Sequence, residues 1–138
     1  MSTVKITNAS NGPIVVAIAY LYGDLISEGW FDIGLNGSQD FSADDSVGLC
    51  IRVQGASGTD FVFNNLTVPE TFLFHPTLRF SVAKVPGDPA GTRTLRSGAN
   101  LQFVQNVNPN GPFPAGWSNG RFFRVGPRAN ASQFLRIT

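Results

Sequence analysis

A chain of 138 residues with 42% apolar and 14% charged residues, twelve Phe among them, is the length of one domain and too hydrophobic to stay disordered. Its net charge of +1 excludes a polyelectrolyte, and fifteen Gly with nine Pro argue against long helices. The longest apolar run, PIVVAIAYLYG, is about half of a membrane-spanning helix.

The opening MSTVKITNAS lacks the basic start, apolar stretch and cleavage site of a secretory leader. No transmembrane segment is expected, and cytoplasmic residence is the default. The single cysteine, Cys50, excludes an internal disulfide.

Period-2 alternation dominates the chain, which is the mark of strands. It begins in VKIT (4–7), where Val4 and Ile6 lie opposite Lys5 and Thr7. In IVVAIAYLY (14–22), Ile14, Val16, Ile18, Tyr20 and Tyr22 set bulky groups on one face, and Val15, Ala17, Ala19 and Leu21 set smaller ones on the other. Both faces of that segment are expected to be covered, as in a central strand.

Residues 26–33 form the next candidate, followed by VGLCIRVQ (47–54), which reads as a half-buried strand. There Val47, Leu49, Ile51 and Val53 point inward, and Cys50, Arg52 and Gln54 point to the other face. Residues 60–63 and 71–75 follow, then LRFSVAKV (78–85), with Leu78, Phe80 and Val82 inward. Segments 101–107, 121–125 and 133–137 complete roughly nine or ten short strands.

Turn signals such as NASNGP, GLNGS, GASGT and VGPRAN separate these segments, and none carries capped helical periodicity. The expected fold is all-β: a single antiparallel β-sandwich domain over residues 1–138, with a small β-barrel as the alternative. Two stretches are long for loops, 86–100 and 108–120. The second, NPNGPFPAGWSNG, holds Phe113 and Trp117, either presented outward to a ligand or folded down as a lid.

Catalytic furniture is sparse. The one histidine, His75, precedes Pro76 at a strand end and reads as structural or exposed, and Cys50 reads as a buried, inert thiol. Asp44 and Asp45 read as a solvated turn rather than a calcium loop, because the ordered ligand spacing of an EF-hand is missing. Glu28 and Asp32 share a strand face at i, i+4, which alone does not make a glycosidase pair.

The triplets at Asn8, Asn36, Asn65 and Asn130 fit N-x-[ST] but read as turn chemistry. No phosphate-binding loop, dinucleotide fingerprint or nucleophile elbow occurs. The chain is therefore expected not to be an enzyme and to need neither cofactor nor metal.

Charge is sharply divided. Up to Asp88 there are four basic and nine acidic residues, a balance of −5; from Pro89 onward there are six arginines and no acid, or +6. The closing GRFFRVGPRANASQFLRIT threads Arg121, Arg124, Arg128 and Arg136 through Phe122, Phe123 and Phe134.

Those seven residues suit internal cross-strand ion pairs, or a contact with the acidic surface of another copy, since guanidinium is weakly hydrated and bonds in pairs. Nucleic acid or anionic lipid is the weaker partner class, because only two lysines are present. The expectation is a binding module that self-associates as a homo-oligomer or larger assembly. The alternative is a carbohydrate- or membrane-binding sandwich that uses Phe113 and Trp117, with Tyr20, Tyr22 and Trp30.

The stretches AIAY (17–20) and SEGWFDIGLNG (27–37) resemble a family of small uncharacterised bacterial domains. In that family an apolar strand ending in Tyr precedes an E-G-W-aromatic-x-I segment and a Gly turn. Ala17, Tyr20, Glu28, Gly29, Trp30, Phe31 and Ile33 carry the resemblance. The first third of the chain is more loosely similar to thaumatin-like sandwiches. Both resemblances imply a β-sandwich, and the first implies no activity.

Overall fold

A computed structural model describes residues 2–127 and 132–138 and, among them, no helix. Twelve strands run through the described residues: β1 (Ser2–Asn8), β2 (Ile14–Tyr22), β3 (Asp24–Ile33), β4 (Ser38–Ala43), β5 (Leu49–Gly55), β6 (Thr71–Phe74), β7 (Phe80–Ala83), β8 (Arg93–Ser97), β9 (Gln102–Val107), β10 (Ser118–Arg121), β11 (Phe123–Val125) and β12 (Ser132–Ile137).

The large sheet has seven strands in the order β11-β5-β2-β3-β7-β8-β9. A three-stranded sheet, β12-β1-β4, covers one of its faces, and the β10-β6 ribbon lies against the other. The pairings are antiparallel except for β1 with β12. Among the described residues no barrel closes, and the all-β sandwich expected from alternation is the fold.

Two cores follow from these layers. The first gathers Val4, Ile6, Val16, Ile18, Phe41, Ile51 and Ile137 between the three-stranded and the large sheet. The second gathers Ala17, Ala19, Cys50, Phe72, Phe74, Phe80, Leu95 and Phe122 beneath the ribbon. The unequal faces of β2 match this arrangement: Ile14, Val16 and Ile18 fill the first core, while Ala17 and Ala19 leave room for the phenylalanines of the second.

Covering both faces of the large sheet corrects the half-buried expectation for β5. Leu49, Ile51 and Val53 enter the first core as expected, and the buried Cys50 enters the second. Arg52, on that second face, is only 18% exposed; its guanidinium lies 4.4 Å from the centroid of the Phe74 ring and bonds Asp60 at 2.7 Å.

Other segments depart from alternation for local reasons. Residues 60–63 form one bridge, Gln54 to Asp60, rather than a strand, and Phe61 and Phe63 pack from the loop against the first core. Leu78, expected inward, is 46% exposed because β7 starts at Phe80. The stretch 86–100 is not one loop, since it contains β8, whose register is set by β7.

The segment 121–125 is two strands. The chain leaves the ribbon at Arg121, crosses at Phe122 and joins the large sheet at Phe123. Phe122 is fully buried in the second core and Phe123 is 8% exposed in the first. Neither ring is available to a partner, which corrects their assignment as contact residues.

Candidate functional site

The three-stranded sheet covers only part of its face, since the first core takes no residue from β7, β8 or β9. Beyond the free edge of β4, the row Glu28, Ser81, Arg96, Phe103 runs across β3, β7, β8 and β9 in cross-strand register. A groove of about 450 Å³ lies where β4 overhangs β2 and β3. Its walls include Tyr20, Glu28, Phe31, Phe41, Asp40 and Asp44.

A β-bulge builds this groove. Val16 pairs with Phe31 but Ile18 pairs with Glu28, so β3 spends two residues, Gly29 and Trp30, opposite Ala17. Both therefore face the second core, and Glu28 and Phe31 come out together on the groove side. The same shift separates Glu28 from Asp32, correcting the expected i, i+4 pair: Asp32 lines a different hollow with Trp30 and Val15.

Gly29 is required here, because a Cβ would sit 2.9 Å from Ala17 Cα. A glycine inside an apolar strand was the sequence signal for the bulge. In the groove the Tyr20 hydroxyl donates to Glu28 Oε1 at 3.1 Å, and Phe31 meets Phe41 edge-on with centroids 5.3 Å apart.

The acidic turn is locally committed. Asp44 Oδ1 accepts the N–H groups of Ser46 at 2.8 Å and Val47 at 3.0 Å and also the Ser46 hydroxyl. Bonding to Ser46 holds its pKa below the usual 3.8. The Ser2 hydroxyl donates to Asp45 at 2.6 Å. Among the described residues no group of three His, Cys, Asp or Glu gathers to hold a metal ion.

The loop 108–120 is a lid and not a platform. Trp117 is 8% exposed and stands edge-on to Phe80 and His75, with centroids 6.1 and 5.4 Å apart. Phe113 is partly buried against the same core. This corrects the ligand-loop assignment of Trp117: a ring that closes the core end cannot also stack on a ligand. Trp30 is likewise committed, its indole N–H donating to the His75 carbonyl at 2.8 Å, while the Tyr22 side chain lies outside the description.

His75 holds this corner together. Its Nδ1 accepts the N–H groups of Leu78 at 2.9 Å and Thr77 at 3.2 Å, and burial lowers its pKa from 6.5. Protonation would turn that acceptor into a donor. As pH falls through 6.5 the unfolded chain takes up the proton first, so stability present above that pH is lost below it, until the folded form is protonated too. The melting temperature of wild type is expected to fall more between pH 7.5 and 5 than that of His75→Asn. Parallel curves would show that His75 does not contribute.

The candidate contact residues divide. Arg121 and Arg136 are exposed, and Phe134, at 76%, is the most exposed of the large apolar side chains described. Arg124 instead lies across from Cys50, half-buried, with an Nε that finds no partner. The Cys50 pKa is raised by burial, against the opposing influence of Arg124. Arg128 falls outside the described residues.

The charge division is partly resolved within the chain, where Arg93 reaches Asp24 at 3.0 Å. Arg96, Arg121 and Arg136 enter no ion pair among the described residues. Sequence reasoning missed Phe103, 61% exposed, and Val104, 39% exposed, on the edge strand β9. No helix among the described residues is long and apolar enough to cross a membrane. No family model, curated protein or solved structure matches the chain.

Proposed function

We propose that this chain is a non-enzymatic module that associates with copies of itself through its free sheet edges. The observation that carries this reading is β9, Gln102–Val107, an edge strand exposed at its first five positions and without a charge. Edge strands of natural proteins are usually guarded by Lys, Pro or inward charge, because their unpaired backbone groups are a template for another strand. Here Phe103 and Val104 stand exposed instead.

The second sheet ends in a further edge strand, β12, which does carry a charge, Arg136, with the exposed Phe134 on the same outer face. Phe supplies burial, while Arg96, Arg121 and Arg136 pair at the rim with the exposed Asp32 and Glu70 of a neighbour. Such heterologous contacts close into rings or run on as filaments. A carbohydrate or lipid platform on loop 108–120 loses its support with Trp117 in the core. The resemblance of residues 17–37 to small bacterial domains belongs to the same proposal and brings no activity with it.

Light scattering and electron microscopy at low ionic strength test the reading. Wild type is expected to assemble, faster as salt is lowered. Phe103→Lys is expected to remove assembly by placing a charge on the pairing strand, and the pair Arg121→Glu with Arg136→Glu to slow it, all with unchanged circular dichroism. A wild type that stays monomeric at high concentration would overturn it.

A further inference from the structure

We infer that the groove between β4 and the β2–β3 hairpin binds a small organic cation, a protonated amine or guanidinium carrying an apolar body. Its volume of about 450 Å³ holds such a molecule and falls in the ordinary range of ligand sites. The walls combine two features that recognise this class. The partly buried Tyr20 and Phe31 offer aromatic surface over an apolar floor of Ile18 and Phe41, and ring faces attract cations through their quadrupole.

Among the described residues every ionisable group in the lining, tyrosine aside, is a carboxylate: Glu28, Asp40 and Asp44. No lysine, arginine or histidine among the described residues lines the groove to neutralise them. Lys5 faces Asp40 across the β1–β4 ladder, and Arg96 is separated from Glu28 by Ser81 in the same row. Neither forms an ion pair with them among the described residues.

The carboxylates are placed rather than merely crowded. The Tyr20 hydroxyl holds Glu28 beside the rings, and the bulge at Gly29 and Trp30 brings Glu28 and Phe31 to the same side. Asp44 is tied into its turn, so its charge is fixed at the groove end. An anion is repelled by this lining, and a neutral guest leaves the carboxylates uncompensated. A cation with an apolar body satisfies both parts of the wall.

The site is independent of the assembly edges, since neither β9 nor β12 lines it. Calorimetric titration of the full chain with benzylamine, with benzyl alcohol as neutral isostere, tests the inference. Benzylamine is expected to bind at least about tenfold more tightly, and added salt to weaken it. Glu28→Gln keeps an acceptor for the Tyr20 hydroxyl and removes the charge; it is expected to lower amine affinity about tenfold while leaving the alcohol unchanged. Asp40→Asn, at an exposed position that does not endanger folding, is expected to act in the same direction.

A parallel titration with acetylated, amidated arginine distinguishes the sources of the cation. Tighter binding than benzylamine identifies a protein side chain, and weaker binding a free amine. Phe103→Lys is expected to bind amine as wild type does, so loss of assembly and loss of cation binding remain separate results. Equal affinity for amine and alcohol, an unchanged Glu28→Gln, or no binding of any cation at millimolar concentration would overturn the inference.

Discussion

Phe122→Ala is expected to lower stability by about 3–5 kcal/mol in urea titration, the range for a large aromatic truncated in a core. The whole stability of a domain of this size is about 5–15 kcal/mol, so the variant should be near unfolding at physiological temperature. Phe122 is fully buried, with its ring edge-on to Phe72 at 5.3 Å and Phe74 at 6.1 Å between centroids. These rings join the β10-β6 ribbon to the large sheet. Two strands alone are marginal in water, so the ribbon depends on that packing and not on its own ladder.

The cavity left by the truncation would also loosen the lid, because Trp117 belongs to the same cluster. Phe134→Ala supplies the contrast. With 76% of its surface exposed, Phe134 should change monomer stability by no more than about 0.5 kcal/mol, while weakening assembly. Comparable small losses at both positions would mean that the ribbon does not pack against the large sheet.

This pair of variants marks where sequence reading succeeded and failed. β2 was legible because its two faces differ in size but not in polarity, so a covered central strand followed from IVVAIAYLY. The same logic did not reach Phe122 and Phe123. Interleaved with Arg121 and Arg124 they look like a surface, yet consecutive side chains of an extended chain point to opposite faces, and here each face meets a core.

Strands with little inward apolar surface left no trace. β4 turns only Gln39, Phe41 and Ala43 inward, and β8 buries Leu95 as its one large apolar group, so neither shows a run of alternation. Their positions come from cross-strand registers set by distant segments. The groove was legible as residues and not as geometry. Tyr20 and Glu28 stood out with Trp30, but only the bulge opposite Ala17 sends Trp30 to one side and Glu28 with Phe31 to the other.

Asn8→Asp exchanges one heavy atom, the amide nitrogen for an oxygen, and should still be the most damaging substitution on the N-terminal strand. Asn8 is fully buried, and its Nδ2 donates to the carbonyls of Gly12 at 2.8 Å, Ile33 at 3.1 Å and Gly34 at 3.2 Å. Its Oδ1 accepts the Ser10 N–H at 3.0 Å and the Ser10 hydroxyl at 2.6 Å. One amide thus ties the β1–β2 turn to the β3–β4 turn, which explains why the first N-x-[ST] triplet is turn chemistry: a glycan would have to displace this buried clamp.

A carboxylate at this position retains the acceptor but confronts three carbonyl oxygens with negative charge and no hydrogen. Leaving a buried charge unpaired costs about 3–5 kcal/mol. The introduced carboxyl escapes by protonating, so its pKa in the folded state rises above the unfolded value. Between those two values the folded chain holds the extra proton, and stability falls as pH rises. The variant should therefore be more stable near pH 4 than near pH 7, relative to wild type at each pH.

Asn8→Ala removes the donors without introducing a charge, and should cost about 1–3 kcal/mol with no such pH dependence. Thermal melts of the three proteins across that range decide the point. If Asn8→Asp matches Asn8→Ala at neutral pH, solvent reaches the turn junction and the amide is not the clamp that joins the two turns.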